Sequence, residues 1–212
     1  MFKYACGMIQ DMIKNIIFDI GNVLSDFCWQ DFLKDKGFDE AMIERIGRAS
    51  VYDEDWYEFD KGRLKDEEVI DLFIENDPEI ADDLHRAFDN VEGMVRLKAE
   101  TFDWLNSLKA KGFKLYYLSN FSYKAETQCP KSLSFMPLMD GGILSYKVKL
   151  TKPDPEIYEL LLSMYSLKPH ECVFIDDTPK NVDAAINLGI KGIVYKNHEQ
   201  AAADLDKIVV EK

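Results

Sequence analysis

An open α/β fold, a parallel sheet flanked by helices with one helical block inserted, is what this sequence predicts, and three observations carry the prediction. Short, wholly apolar runs recur along the chain, most of them ending in a polar residue. Continuous apolar runs are the habit of strands covered on both faces, as in parallel sheets. Patterns of helical spacing alternate with the later runs, which is the order of βαβ units. After the first run, however, comes a long stretch with helical spacing and no convincing strand.

The elements follow in order. Asn15-Ile16-Ile17-Phe18-Asp19 is the first strand, stopping abruptly at a carboxylate before Gly21-Asn22. In residues 27–96, Phe32, Phe38, Met42, Ile43 and Ile46, then Val69, Ile70, Leu72 and Phe73, repeat at helical spacing among many acidic residues. A block of roughly 70 residues is too long for a connecting loop. It predicts a separate helical lobe (27–96) inserted into a core made of 1–26 and 97–212, with Trp56, Tyr57 and Phe59 packing the lobe's interior. Leu97, Thr101, Trp104, Leu105 and Leu108 predict a helix closed by Gly112. Residues 113–119 (FKLYYLS) are the second core strand. Pro155 opens a helix with Ile157, Leu160, Leu161 and Met164 on one face. Residues 172–175 (CVFI) form the third strand. Thr178 and Pro179 then cap and begin a helix over 179–188, and residues 192–195 form the fourth strand.

Composition narrows the function. The 212 residues carry 39 acidic against 26 basic side chains, a formal charge of −13. A polyanion repels this surface, so nucleic-acid and anionic-membrane partners are not expected. No apolar run approaches the roughly 18 residues of a membrane span. Residues 1–11 lack the apolar stretch and cleavage site of a secretory signal, and Met12 is an alternative start. Cys6, Cys28, Cys129 and Cys172 form no CxxC pair and read as reduced thiols in a cytoplasmic protein. With only three scattered histidines, a His/Cys zinc site has little to be built from.

Candidate chemistry lies at the strand ends: Asp19, Ser119-Asn120 and Asp176-Asp177, with Lys152 in the loop before Pro155. In open parallel sheets ligands bind beyond the carboxyl ends of the strands, so these distant residues are expected to converge. Asp19 and Asp177 suit Mg2+, a hard cation that prefers oxygen ligands. Ser119, Asn120 and Lys152 suit phosphate oxygens. An aspartate attacking phosphorus needs cations to screen the like charges, and the set therefore describes phosphoryl transfer through an aspartyl-phosphate.

These motifs resemble the haloacid dehalogenase-like hydrolases. The matching runs are Phe18-Asp19-Ile20-Gly21-Asn22-Val23-Leu24, Leu118-Ser119-Asn120, Lys152-Pro153-Asp154-Pro155 and Phe174-Ile175-Asp176-Asp177, followed by Asn181. The resemblance implies a Rossmann-like three-layer core with a helical cap over 27–96. It also implies a Mg2+-dependent phosphatase acting on a small phosphorylated metabolite such as a sugar phosphate. Asp19 would be the nucleophile, and Ser119, Asn120 and Lys152 would bind the phosphate. Asp19, the backbone carbonyl of Gly21 and Asp177 would hold the metal, with Asp176 reaching it through water or another ligand. The segment Asp55-Trp56-Tyr57-Glu58-Phe59-Asp60-Lys61-Gly62 further resembles the cap of the α-D-glucose-1-phosphate phosphatase subgroup.

One position departs from the usual pattern. Most phosphatases of this family carry an acid–base aspartate two residues after the nucleophile, where this chain has Gly21. Sugar-1-phosphates, with a comparatively acidic leaving oxygen, would suffer least from its loss, and the candidate substitutes are Asp26 or a cap residue. Two other readings follow from the same gap: a metal-independent 2-haloacid dehalogenase using Asp19, and a phosphometabolite-binding protein without turnover.

Overall fold

The computed structural model describes residues 12–210. The readings made on residues 1–11, including Cys6, lie outside the described residues. Five parallel strands form one sheet in the order β5-β4-β1-β6-β7. Their bounds are Asn15–Phe18 (β1), Lys114–Ser119 (β4), Gly141–Leu144 (β5), Cys172–Asp176 (β6) and Lys191–Val194 (β7). β1 is central, with Phe18 level with Tyr117 on one side and Ile175 on the other. The chain leaves the sheet at Asp19, between the ends of β4 and β6.

Strand alternation sorts the apolar side chains into two layers. Ile16, Phe18, Val173 and Ile175 face one side of the sheet, with Trp104, Leu105 and Leu108 of α6 (Thr101–Ala110) and Leu205 of α11 (His198–Val210). Ile17, Leu118 and Phe174 face the other, against Ile157, Tyr158 and Leu161 of α9 (Pro155–Met164) and Ala185 of α10 (Pro179–Asn187). Helices on both faces of a buried parallel sheet are the three-layer α/β arrangement that the apolar runs imply.

Five helices fill the inserted stretch between β1 and α6: α1 (Trp29–Asp35), α2 (Glu40–Ala49), α3 (Trp56–Lys61), α4 (Asp66–Asn76) and α5 (Ala81–Phe88). Their aromatic centre is Trp56, Phe59, Phe73 and Phe88, with Trp56 stacked 5.9 Å from Phe73 and edge-on to Phe59. This cluster is continuous with the apolar layer of the sheet rather than sealed off from it. Two short helices complete the chain, α7 (Tyr123–Gln128) and α8 (Ser145–Val148).

Three strands escape the sequence reading. β2 (Ser25–Phe27) and β3 (Val95–Leu97) pair antiparallel where the chain enters and leaves the five helices, so the expectation of no strand within 27–96 fails at both ends of that stretch. Three residues are too few to show an alternation. β5 is hidden because it opens on Gly141-Gly142, weak strand formers. A Cβ at Gly142 would lie 2.4 Å from the Tyr117 ring, and that close approach requires the glycine. Thr178 also corrects an expectation: its side chain makes no capping hydrogen bond to α10.

Candidate active site

The residues at the strand ends do meet. Asp19 follows β1, is almost fully buried, and accepts from the Ile20 backbone N–H at 2.7 Å. The Lys152 ammonium lies 2.9 Å from the same Asp19 oxygen and 2.5 Å from Asp176 Oδ2. Lys152 is only 1% exposed and Asp176 not at all. A lysine this deep is tolerable only when paired. Burial pulls its pKa down, but the Asp19 and Asp176 carboxylates together outweigh that and raise it. Lys152 is a fixed cation.

Each member of this centre is held by a neighbour. Asp176 accepts from the Thr178 backbone N–H at 2.8 Å and from the Asn181 amide at 3.1 and 3.2 Å. The Asn120 side chain clamps the Lys152 backbone, donating to its carbonyl at 3.0 Å and accepting from its N–H at 2.8 Å. Asp177 accepts from the Asn22 amide at 2.9 Å. Asn22 sits at φ 57, the left-handed region that asparagine tolerates well, and its side-chain Oδ1 accepts from Phe27 N–H at 3.2 Å. The Asp19–Gly21–Asn22 turn therefore aims Asp177 as well as Asp19.

The charges do not balance. One carboxylate oxygen each from Asp19, Asp176 and Asp177 lie within 4.8 Å of one another, with Lys152 as the cation bonded to two of them. Burial raises the Asp19 pKa above the ordinary carboxylate range; the Asp176 charge adds to this, while Lys152 and the Ser119 hydroxyl oppose it. A hard divalent cation relieves this excess of negative charge, and an all-oxygen donor set of carboxylates fits Mg2+. The cluster thus joins all three aspartates expected at the metal, and Gly21 lines the same cleft.

The cleft above this floor encloses about 200 Å³. Asp19, Gly21, Asn120 and Asp177 line it, together with the apolar side chains of Phe27, Trp56, Met94 and Phe121. Of the three residues expected to bind phosphate, Asn120 lines the cleft. Ser119 and Lys152 lie beneath it, almost fully buried. Among the described residues no arginine lines the cleft and no helix is long and apolar enough to cross a membrane.

Sequence reasoning named no specific residue of the helical stretch as a site residue, yet Asp60 of α3 lines the cleft too. Burial, then the charge of Asp19, pushes its carboxyl up to about 7 against the pull of Lys152. Asp60 lies in a run with Asp53, Glu54, Asp55 and Glu58, and nothing local marks which carboxylate turns inward. Asp26, the other substitute considered for the missing acid, instead forms an ion pair with Lys98 and lies outside the cleft lining.

The haloacid dehalogenase-like hydrolase family profile matches residues 13–189. Flavin mononucleotide hydrolase 1 of Arabidopsis thaliana is 28% identical over 161 residues, covering 72% of this chain and 61% of that protein. A sesquiterpene phosphatase of Aspergillus oryzae is 24% identical, covering 92% of this chain and 96% of its own. D-ribitol-5-phosphate phosphatase of Bacteroides thetaiotaomicron is 28% identical, covering 88% and 93%. A family enzyme from that organism, crystallised with magnesium and inorganic phosphate, superposes with a TM-score of 0.65 at 24% identity over 87% of this chain and 94% of its own. The chain belongs to the haloacid dehalogenase-like hydrolases.

Proposed function

We propose that this hydrolase is a Mg2+-dependent phosphatase of a small phosphorylated metabolite, a sugar or polyol phosphate, working through an aspartyl-phosphate on Asp19. The observation that carries the reading is the ammonium of Lys152 bridging Asp19 and Asp176 beside a third carboxylate, Asp177. Asp19, Asp177 and the Gly21 carbonyl would hold the metal, with Asp176 as an indirect partner. When bound, the ion offsets the charge shared by nucleophile and phosphate. Asp19 attacks phosphorus, the alcohol leaves, and water then hydrolyses the acyl phosphate. Lys152 opposes the protonation of Asp19 that burial favours and orients it for that attack. Ser119 and Asn120 steady the transferred group, Asn120 with its main chain because its side chain is engaged with Lys152.

The helical stretch 27–96 acts as a cap that closes the cleft and excludes water. A space of about 200 Å³ suits a phosphate on a short carbon chain or one ring, below the roughly 300–1,000 Å³ of drug-sized pockets. Relatives named for flavin mononucleotide and D-ribitol-5-phosphate both point to a phosphate on a polyol chain. The finer likeness to α-D-glucose-1-phosphate phosphatases rests on Gly21-Asn22-Val23 and the segment around Trp56. Cys28, Cys129 and Cys172 are free thiols, in keeping with a cytoplasmic location.

Phosphate release from glucose-1-phosphate, D-ribitol-5-phosphate and flavin mononucleotide, with Mg2+ and with EDTA, tests the reading. It predicts release with Mg2+ from at least one ester, abolished by the chelator. Halide release from a 2-haloacid, unaffected by EDTA, would mean the dehalogenase reaction instead; tight ester binding without release would mean a protein without turnover.

A further inference from the structure

We propose that Asp60, carried on α3, is the acid–base residue of the reaction, reaching the leaving oxygen from the cap side of the cleft. The proposal rests on the phosphatase reading above and adds the proton donor that Gly21 leaves missing. Three observations carry it.

The first is placement. Asp60 lines the same cleft as Asp19, Asn120 and Asp177. A Cβ built on Gly21 would meet no atom within 4 Å, so the space that a side chain would fill there is open for a leaving group.

The second is an unclaimed carboxyl in a fixed backbone. The Asp60 carboxyl makes no hydrogen bond or ion pair among the described residues, while Asp177 is tied to Asn22 and Asp26 to Lys98. The Asp60 main chain, by contrast, is pinned to the core. Its carbonyl accepts from the Ser145 hydroxyl at 2.6 Å, and that hydroxyl accepts from Phe121 N–H at 2.9 Å, next to Asn120. Gly62, two residues on, closes α3 at φ 58, and a Cβ there would lie 2.8 Å from Tyr146 of α8. Lys149 Nζ donates to the Gly62 carbonyl, and Arg63 donates to the Lys149 carbonyl at 3.2 Å. The end of α3 is therefore docked tightly enough to hold a side chain at a set distance from the strand ends, as general catalysis requires.

The third is protonation state. Its surroundings let Asp60 carry a proton near neutral pH, where an ordinary aspartate is ionised.

An Asp19 oxygen forms a bond to phosphorus as the bond from phosphorus to the leaving oxygen breaks. Asp60 gives its proton to that oxygen, and the alcohol departs. The Asp60 carboxylate then takes a proton from water as the water oxygen attacks phosphorus. The Asp19–phosphate bond breaks, inorganic phosphate leaves, and both side chains return to their starting states.

Leaving groups of different acidity test this. A p-nitrophenolate leaves without a proton, whereas the primary alkoxide of D-ribitol-5-phosphate needs one. With Mg2+ present, Asp60→Asn is expected to lower kcat/KM about 100-fold or more on ribitol-5-phosphate and less than about 10-fold on p-nitrophenyl phosphate. Asp60→Glu is expected to recover part of the loss on the alkyl ester. Activity of the variants on the nitrophenyl ester reports that they are folded. An active wild type whose Asp60→Asn variant loses equally on both esters, or loses on neither, overturns the proposal alone. A wild type that hydrolyses neither ester overturns the phosphatase reading and this proposal with it.

Discussion

The floor and the roof of the cleft are built on opposite principles. In the floor, the ends of β1, β4 and β6, the polar groups are bound several times over: Lys152 to Asp19 and Asp176, Asp176 to Thr178 and Asn181, Asn120 to both backbone groups of Lys152. In the roof, α3 presents Trp56 and Phe59 from an aromatic cluster, together with the Asp60 carboxyl, which has no hydrogen bond or ion pair among the described residues. A saturated network fixes geometry because any shift breaks charge-assisted bonds in a low-dielectric site. Aromatic packing sets shape but leaves room to vary it. In the proposed reading the floor supplies the nucleophile and its cation, and the roof supplies the Asp60 carboxyl and the shape that selects the substrate.

Replacing Asp19 should do the most damage to activity and the least to the fold. Asp19→Asn is expected to cost at least about 10⁴-fold in phosphate release, with a Tm equal to or above that of the wild type. Removing one negative charge from a centre already too negative relieves repulsion with Asp176. A large fall in Tm would mean that Asp19 is structural.

Lys152→Met should damage both. It leaves two buried carboxylates without their cation, a change expected to destabilise by about 3–5 kcal/mol in urea unfolding. Unchanged stability would show that the floor is less tightly knit than its hydrogen bonds imply.

Acidity should distinguish metal-free from metal-loaded protein. Burial first, then neighbouring charge, raises the Asp19 and Asp60 carboxyls, Asp60 to about 7. The folded chain therefore holds protons that the unfolded chain releases between the ordinary carboxylate range and about pH 7, so stability falls as pH rises through that window. In EDTA the Tm is expected to drop by several degrees from about pH 5 to about pH 8, and Mg2+ should flatten that slope. A Tm that rises over the same range without metal would contradict the raised carboxyls.

The roof should respond more gently. Trp56→Ala is expected to raise KM for a sugar or polyol phosphate about tenfold, near 1.4 kcal/mol, with kcat for p-nitrophenyl phosphate almost unchanged. An equal loss of kcat on both substrates would break the division between floor and roof.

The same division explains what could be read from the chain beforehand. Asp19, Ser119, Lys152 and Asp176 were legible because each follows or ends an apolar run or sits in a loop whose residues the chemistry restricts. The sheet was legible for the same reason, apart from β5, where Gly141-Gly142 make room for aromatic rings that only the fold brings near. Asn22 stood in a recognisable motif, but its hold on Asp177, 155 residues away, depends on two strand ends meeting. Asp60 was invisible. It is one acidic residue among several, and Ser145 and Tyr146, the residues that dock its helix, are some 85 positions further on.

The central claim is a covalent phosphate on Asp19, and chemical trapping tests it most directly. Borohydride reduces an acyl phosphate to an alcohol, so enzyme quenched during turnover and treated with borohydride carries a changed side chain that mass spectrometry can locate. The account predicts reduction at Asp19 when Mg2+ and a hydrolysable ester are both present, and none without the ester. Rapid phosphate release with Asp19 unreduced and another carboxylate converted in its place would contradict it.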